Sequence, residues 1–280
     1  MVNKLLVFIF SILLQNIAYA YNAYTFLETI PGNTNKEISV DKDLDITVWN
    51  LFMLNKINSK KFQKSSLYNK INKSSIILFQ EIIANAEYSQ KKLGLDDFTF
   101  IQIPYLKKES SQFEADSISN GMANISKSKS LNSKIIIADS IDLADGTQSM
   151  AIRTDYKVLG LDQDLRVIHI HNGVSIFKTM RLMRKLEDEI NDHIGPIIVA
   201  GDFNSFLYKS RFIKKWAKRN KLIDAKVKTP YKVKFLKVGQ LDHAFYRGLE
   251  LVENVEILIE TKELSDHLGY ALKFKFKTED

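Results

Sequence analysis

The chain has 280 residues, of which 45% are hydrophobic and 26% are charged, with 11 glycines and 4 prolines. This composition is typical of a globular protein and excludes collagen-like and low-complexity chains, while the lack of cysteine excludes disulfides, a thiol nucleophile and cysteine metal sites. The net charge of +7 favours anionic partners, although the lysines look scattered along the sequence.

The first twenty residues have the three-part layout of a secretory signal peptide. Lys4 is a short positive region, residues 5–14 form an apolar run, and Ala18-Tyr19-Ala20 is a small-x-small cleavage site. A membrane anchor is the alternative, but this run is short for a hydrocarbon core of about 30 Å. We predict a signal peptide over 1–20 and a secreted or periplasmic protein with no transmembrane segment in its mature chain.

After a lead-in over 21–43 that we expect to be irregular, strand and helix patterns alternate through a single predicted domain over 44–280. The predicted strands are LDITVWNLF, SIILFQEI, 98–103, GMANIS, KIIIADSIDL, QSMAIRTDY, LRVIHIHNG, PIIVAGD, LDHAFY, VENVEILIE and GYALKFKF. The predicted helices cover 59–73, 86–93, 178–193 and the strongly basic segment 209–220.

Acidic, amide and imidazole side chains recur just beyond the predicted strand ends, where sites gather in open α/β sheets. They are Asn50, Glu81, Asp202, Asn204, Asp242, His243, Asp266 and His267. Oxygen donors suit a hard cation such as Mg²⁺ or Mn²⁺, and histidines can assist phosphoryl transfer. Taken singly, each has a plainer interpretation, since asparagines close turns and carboxylates cap loops.

Seven short motifs follow one another in a fixed order and carry a family resemblance. They are VWNL, FQEI, GMANISK, HIHN, GDFNS, LDHAFY and LSDH. The series resembles the endonuclease/exonuclease/phosphatase superfamily, and GDFNS with LDHAFYRGL and SDH looks closest to the bacterial YafD-like subgroup. The resemblance implies an α/β (α+β) four-layer sandwich, in which two mostly antiparallel β-sheets pack face to face between helices, as in DNase I.

The resemblance also implies a divalent-metal site, with Mg²⁺ or Mn²⁺ as the cofactor. Glu81 matches the principal metal ligand and Asn50 matches its metal-binding partner. Asp266 matches a second acidic position near the metal.

Five further residues match catalytic positions of the family. Asp202 matches the residue that orients or deprotonates the attacking water, and Asn204 the amide that bonds this water or a phosphate oxygen. His171 matches the histidine that contacts the phosphate and helps the leaving group. Asp242 matches the carboxylate that hydrogen-bonds His267 and keeps it in one tautomer.

Three other residues have less defined roles. His169 lies two positions before His171 and is interpreted as a neighbour or a core histidine, and His243 as structural. Glu114 is a candidate carboxylate partner for His171.

The implied activity is metal-dependent phosphoester hydrolysis, with a phosphodiesterase or endonuclease as the favoured interpretation. A phosphatase or a sphingomyelinase-like phospholipase acting on lipid headgroups is the alternative. A non-enzymatic binder on the same fold is a third, but it would tend to lose one of the site residues, and all are present. The expected partner is a phosphoester substrate, either nucleic acid or phospholipid headgroup, and we expect a monomer.

Export is directly testable. We expect N-terminal sequencing of the protein from its native host to begin at Tyr21, because cleavage should follow Ala20. Soluble cytoplasmic material that begins at Met1 would contradict the prediction.

Overall fold

The apolar runs of the sequence form the strands of two large β-sheets in the structure, a computed structural model. It describes residues 27–52, 57–83, 85–104, 120–141, 148–206, 208–233 and 236–277. The predicted signal peptide over 1–20 and Glu114 lie outside these residues.

The described residues contain eighteen β-strands and five α-helices. The strands are β1 (Glu28–Ile30), β2 (Ile38–Ser39), β3 (Leu44–Asn50), β4 (Ile76–Ile83), β5 (Thr99–Pro104), β6 (Asn120–Ser126), β7 (Ser130–Ile141), β8 (Gln148–Tyr156), β9 (Val158–Leu159), β10 (Leu165–His171), β11 (Ile197–Asp202), β12 (Ile223–Asp224), β13 (Pro230–Val233), β14 (Leu236–Gln240), β15 (Asp242–Arg247), β16 (Leu249–Leu251), β17 (Glu256–Leu258) and β18 (Gly269–Phe276). The helices are α1 (Ser59–Phe62), α2 (Ser66–Lys73), α3 (Ala86–Leu93), α4 (Ile176–Asn191) and α5 (Tyr208–Arg219), and a 3-10 helix covers Ile259–Glu263.

The larger sheet has eight strands in the order β1-β5-β6-β4-β3-β18-β16, and β17 also pairs with β18. The second sheet has six strands in the order β12-β15-β11-β10-β8-β7. The pairs β3–β4 and β10–β11 are parallel, whereas the other pairs of these two sheets are antiparallel. The predicted mostly antiparallel sheets are therefore confirmed.

The two sheets pack face to face through a shared apolar core. Ile46 and Leu78 of the larger sheet join one buried cluster with Val167, Ile198 and Ala244 of the smaller sheet. Their burial removes apolar surface from water and contributes about 25 cal/mol for each Å². This core fixes the distance between the sheets and so positions the strand ends that carry the polar residues.

Helices cover the outer face of each sheet. α2 buries Leu67 and Ile71 in one cluster with Phe79 of β4. On the other side, Leu186 of α4 and Trp216 of α5 join a cluster on the smaller sheet. The order is therefore helices, sheet, sheet, helices, which is the predicted four-layer sandwich.

Two local predictions were wrong. The lead-in is not wholly irregular, because β1 pairs with β5 and β2 pairs with β9; such pairing with distant strands leaves no periodic signal in a two- or three-residue segment. The single helix predicted over 59–73 is divided into α1 and α2. Ser65 accepts a hydrogen bond from the backbone N–H of Tyr68 and so starts a new helix.

None of the helices in the described part of the chain has both the length and the apolarity needed to cross a bilayer.

Gly201 of β11 aligns with Ile170 of β10, and it offers a stability test. Its φ is +141°, and a β-carbon at this position would stand 2.1 Å from the carbonyl oxygen of Ile170. We expect Gly201→Ala to lower the free energy of unfolding by about 2–3 kcal/mol, since the strands must separate.

Urea denaturation measures this loss, and Gly248→Ala is the comparison variant. Gly248 also has a positive φ, of +71°, but its nearest neighbouring atom would be 3.1 Å from a new β-carbon. We expect a smaller loss there. Equal losses at the two positions would show that backbone conformation alone, rather than the approach of the strands, is responsible.

Candidate active site

Strand register places three predicted site residues in a row at one end of the smaller sheet. His171 aligns with Asp202 across the parallel pair β10–β11, and Asp202 aligns with Asp242 across the antiparallel pair β11–β15. Aligned residues of neighbouring strands point to the same face and have β-carbons about 4.5–5.5 Å apart. The register alone therefore brings an imidazole and two carboxylates together.

The larger sheet supplies Asn50 and Glu81 to the same space. Asn50 ends β3 and aligns with Gln80, the residue before Glu81 in β4. The Asn50 Nδ2 atom donates hydrogen bonds to Glu81 Oε1 at 2.9 Å and to Asp202 Oδ2 at 3.2 Å. One buried amide thus connects a carboxylate of each sheet.

Glu81 has an unusual backbone conformation. Its φ is +50°, in the left-handed region that non-glycine residues seldom occupy. A register shift between Gln80 and Ile82 leaves Glu81 as the extra residue of a β-bulge in β4. Bulges of this kind redirect a side chain, and here the bulge faces Glu81 toward the smaller sheet.

Asn204 shares the left-handed conformation, with a φ of +45°. Its backbone N–H donates to Asp202 Oδ1 at 2.8 Å, and its Nδ2 donates to the carbonyl oxygen of Asn172 at 2.5 Å. Two such residues in one site are characteristic of functional regions, where the surrounding structure holds strained backbone in place.

His267 reaches the site from the loop before β18. Its Nδ1 lies 3.4 Å from Asp242 Oδ1, and its Nε2 lies 3.7 Å from Asp202 Oδ2. Ser265 sets this position, because its hydroxyl donates to the carbonyl oxygen of Asn50 at 2.6 Å and accepts from the His267 backbone N–H at 3.1 Å. The loop is thereby tied to the end of β3.

The buried charges shift one another's pKa values. Burial raises the pKa of Glu81 and that of Asp202, although His267 opposes the increase for both. Burial alone lowers the pKa of His267, but the carboxylates of Asp242 and Asp202 outweigh it and raise the pKa to about 10. His267 is therefore an imidazolium at neutral pH.

The donor set fits a divalent cation. Ligand atoms of Glu81, His171 and Asp202 lie within 4.8 Å of one another, as do those of Asp202, Asp242 and His267. The Nε2 atom of His171 is 3.7 Å from both Glu81 Oε1 and Asp202 Oδ2. Hard cations bind through one or two carboxylates and keep several waters, and the raised pKa values indicate negative charge that such a cation would stabilise.

The predicted residues do not all enter this cluster. The structure brings together Asn50, Glu81, His171, Asp202, Asn204, Asp242 and His267. Asp266 is exposed and belongs to neither candidate metal group. Asn50 directs its amide N–H groups at the carboxylates, and its Oδ1 accepts from the backbone N–H of Phe52 at 3.1 Å. Metal ligation by Asn50 and Asp266 stays a prediction.

Sequence reasoning missed three supporting residues. Ser265 and Asn172 lay within the LSDH and HIHN motifs, so their position was a usable signal. Thr229 had no local signal, yet its hydroxyl donates to Asp242 Oδ2 at 2.9 Å. The Thr229 bond leaves the other carboxylate oxygen of Asp242 directed at His267.

The two remaining histidines near the site are fully buried. His169 contacts Asn124 and Gln80, and burial lowers its pKa. His243 lies 2.7 Å from the hydroxyl of Ser205, and burial lowers its pKa to about 4. Both rings are neutral at neutral pH, and neither belongs to the candidate metal groups.

Comparison with known proteins identifies the class. The model of the Endonuclease/Exonuclease/phosphatase family matches residues 47–267, so the chain belongs to this family. Its members are generally phosphoester hydrolases that depend on a divalent metal. The predicted family is confirmed, whereas the YafD-like subgroup stays a prediction.

Individual relatives agree with this assignment. A UPF0294 protein of Vibrio cholerae is 25% identical over 244 residues, which cover 85% of this chain and 80% of the relative. An endonuclease/exonuclease/phosphatase family protein from Leptotrichia buccalis superposes with a TM-score of 0.60 and 16% identity, over 83% of this chain and 100% of that one. D. rerio TDP2, complexed with a single-strand DNA product, has a TM-score of 0.56 and 15% identity, over 84% and 99%. At these identities, the likeness shows that this chain has the same fold as the two solved structures.

The pairing of Asp242 with His267 predicts a strongly non-additive mutant cycle. We expect His267→Ala to lower kcat/KM for bis-p-nitrophenyl phosphate by about 10²–10³, as for loss of one preorganised charge-stabilising group. Asp242→Asn should lose less, because the ring remains. The double variant should be little worse than His267→Ala, since the two residues act as a unit; fully multiplicative losses would contradict the pairing.

An NMR titration of the metal-free protein checks the cause. The His267 ring should stay charged at neutral pH and lose its proton only as the pH rises toward about 10. Asp242→Asn removes the carboxylate that contributes most to the charged form of the ring, so the pKa of His267 should fall.

Proposed function

We propose that the chain is an exported phosphodiesterase that uses Mg²⁺ or Mn²⁺ to hydrolyse nucleic acid with water as the nucleophile. The observation that supports this proposal most strongly is a cluster beside the Asp242–His267 pair. In it, ligand atoms of Glu81, Asp202 and His171 lie within 4.8 Å of one another. A cation site, a carboxylate beside it and an imidazolium are together what hydrolysis of a phosphoester needs.

The chain's own residues divide the chemistry among them. A bound divalent cation supplies charge neutralisation at the phosphate oxygens, and Glu81 with Asp202 would hold it. Asp202 also accepts from the backbone N–H of Asn204, which fixes the carboxylate for orienting a water.

The two histidines complete the proposed site. His267 presents its charged ring where negative charge develops on the phosphate. The His171 Nε2 atom lies 3.7 Å from Glu81 Oε1 and 3.7 Å from Asp202 Oδ2, so the ring faces the same space as the cation ligands. We assign it to the phosphate and the leaving group.

The charge distribution favours a polyanionic substrate. Residues 208–228 contain nine lysines and arginines and one aspartate, a net charge of +8 against +7 for the entire chain. Eight of these cations are exposed, and among the described residues only Lys214 and Arg219 of the eight form ion pairs. The net positive charge of the chain thus falls within this one segment, although individual lysines are spread along the sequence.

This basic segment is attached to the site at both ends. It begins six residues after Asp202, and it ends next to Thr229, whose hydroxyl bonds Asp242. A backbone of successive phosphates lying along it would deliver one phosphodiester to the carboxylates. Salt-sensitive binding is the expected consequence.

A phospholipid headgroup is the second candidate substrate. Val174 and Phe177 follow the HIHN motif and expose 43% and 74% of their surface. Exposed apolar side chains next to a site can mark contact with a membrane or another apolar surface.

A substrate panel tests the proposal. Plasmid DNA, RNA, sphingomyelin, phosphatidylinositides and bis-p-nitrophenyl phosphate are each incubated with Mg²⁺ and with EDTA. We expect cleavage of DNA or RNA with Mg²⁺, loss of cleavage with EDTA, and weaker cleavage as salt concentration rises. Cleavage confined to the lipids would favour the second candidate, and no cleavage of any substrate would overturn hydrolysis.

Glu81→Gln isolates the role of the carboxylate in the same panel. We expect it to abolish hydrolysis while the melting temperature stays close to that of the wild type, because the shape is kept and only the charge is lost. Glu87→Gln is the matched control, since Glu87 lies on the surface of α3 and pairs only with Lys91 among the described residues. Full Mg²⁺-dependent activity in Glu81→Gln would exclude Glu81 as the principal ligand.

A further inference from the structure

A chain of buried polar side chains crosses between the two sheets behind the site. It consists of Gln80 in β4, His169 in β10, Asn124 in β6 and Thr154 in β8, and all four are 0% exposed. Gln80 and Asn124 belong to the larger sheet, whereas His169 and Thr154 belong to the smaller one. The chain therefore passes from one sheet to the other three times.

The hydrogen bonds define one state of the His169 ring. Its Nδ1 lies 2.7 Å from Asn124 Oδ1, and Asn124 Nδ2 donates to Thr154 Oγ1 at 2.8 Å. An amide oxygen only accepts, so Nδ1 carries the proton. The Nε2 atom is then an acceptor and takes a hydrogen bond from Gln80 Nε2. A charged ring would set a donor against a donor at Gln80, so the network fits the neutral ring.

Such a network costs free energy of folding, which points to a role other than packing. Burying polar groups between apolar sheets loses their hydration, and an apolar pair of similar shape can be as stable or more so. Gln80 Oε1 has no hydrogen-bond partner within the described residues, which adds to this cost. Conflicts of this kind with simple core packing are expected at functional sites.

The network lies beside the β-bulge that carries Glu81. Gln80 immediately precedes Glu81, whose left-handed backbone in the β-bulge lacks a partner in the strand ladder. On the far side of the bulge, Gln102 Nε2 donates to the carbonyl oxygen of Ile83 at 2.6 Å. The bulge is thus held at both ends by buried glutamines, and His169 anchors the one adjacent to Glu81.

His169 also belongs to β10, the strand that carries His171. It stands two residues before His171 on β10, so both rings point to the same face. Fixing the His169 ring against Gln80 therefore fixes β4 and β10 relative to each other, one step behind Glu81 and His171.

We propose that His169 and Gln80 are positioning residues, which hold the β-bulge so that the Glu81 carboxylate points at the divalent cation. This inference rests on the metal-dependent function proposed above. It requires that loss of the His169–Gln80 bond weakens cation binding in protein that is still folded.

The test measures Mn²⁺ affinity by calorimetry on the purified, metal-free protein. We expect His169→Leu and Gln80→Met to raise the Kd for Mn²⁺ by about 10–100-fold, as for other groups that orient a metal ligand. His169→Gln keeps a donor and an acceptor and should recover part of the affinity. Gln80→Met approaches the same bond from the other strand, so the test survives if His169→Leu does not fold.

Thr47→Val is the matched control. Thr47 of β3 and Ser74, which ends α2, form a buried hydroxyl pair at 2.7 Å. Among the described residues, neither side chain hydrogen-bonds to a member of the network. Thr47→Val should lower the melting temperature without changing the Kd. A purely structural role for His169 would give the same result for His169→Leu and Gln80→Met, and would overturn the inference.

Wild-type behaviour separates the two proposals. If the wild type binds Mn²⁺ and the folded His169 and Gln80 variants bind it equally well, the positioning role is wrong and the proposed function stands. If the wild type binds no divalent cation and cleaves no phosphoester, both are wrong.

Discussion

Three carboxylates share one largely buried space in this protein, and the rest of the site is arranged around that constraint. Asp202 and Asp242 are 1% and 4% exposed, and Glu81 is joined to Asp202 by a single amide. Like charges that have lost most of their water repel strongly. Three groups lower that repulsion: the His267 imidazolium, the Asn50 amide and the backbone N–H of Asn204. A divalent cation would lower it further.

The crowding at one place follows from how the two sheets are built. Each contains a parallel pair, β3–β4 and β10–β11, within otherwise antiparallel pairing. A parallel pair needs a crossover, which α1 and α2 provide in the larger sheet and α4 in the smaller. Both pairs end at the same edge of the sandwich, so helical crossovers on the outside put Asn50, Glu81, His171 and Asp202 together on the inside.

Local patterns were enough to predict most strands, the outer helices and the residues at the strand ends. Asp242 and His267 lie 25 positions apart, and only the order of the motifs related them before the structure joined them. What the sequence did not reveal was long-range or conformational: the pairing of β1 with β5, the bulge at Glu81 and the hydroxyl of Thr229 on Asp242. None of these changes a local hydrophobic period, which is the signal that sequence reasoning uses.

His169 shows the same limit in a sharper form. Its spacing from His171 fixed its face of the strand, and its burial was one of two interpretations. Its hydrogen-bond partners could not be predicted from the sequence, because Gln80 and Asn124 come from two strands of the other sheet. A core histidine and a positioning histidine have the same sequence pattern, and they differ only in what the ring contacts.

The buried charges and the buried network lower the stability of the metal-free fold, and this loss favours cation binding. A ligand that binds only the folded state stabilises it in proportion to its affinity. Negative charge that is poorly compensated without the cation raises this affinity, because binding relieves the repulsion. The apolar clusters on both outer faces and between the sheets contain none of the three carboxylates, and their burial stabilises the fold separately from the site. The same repulsion therefore weakens the empty site and strengthens its hold on the cation.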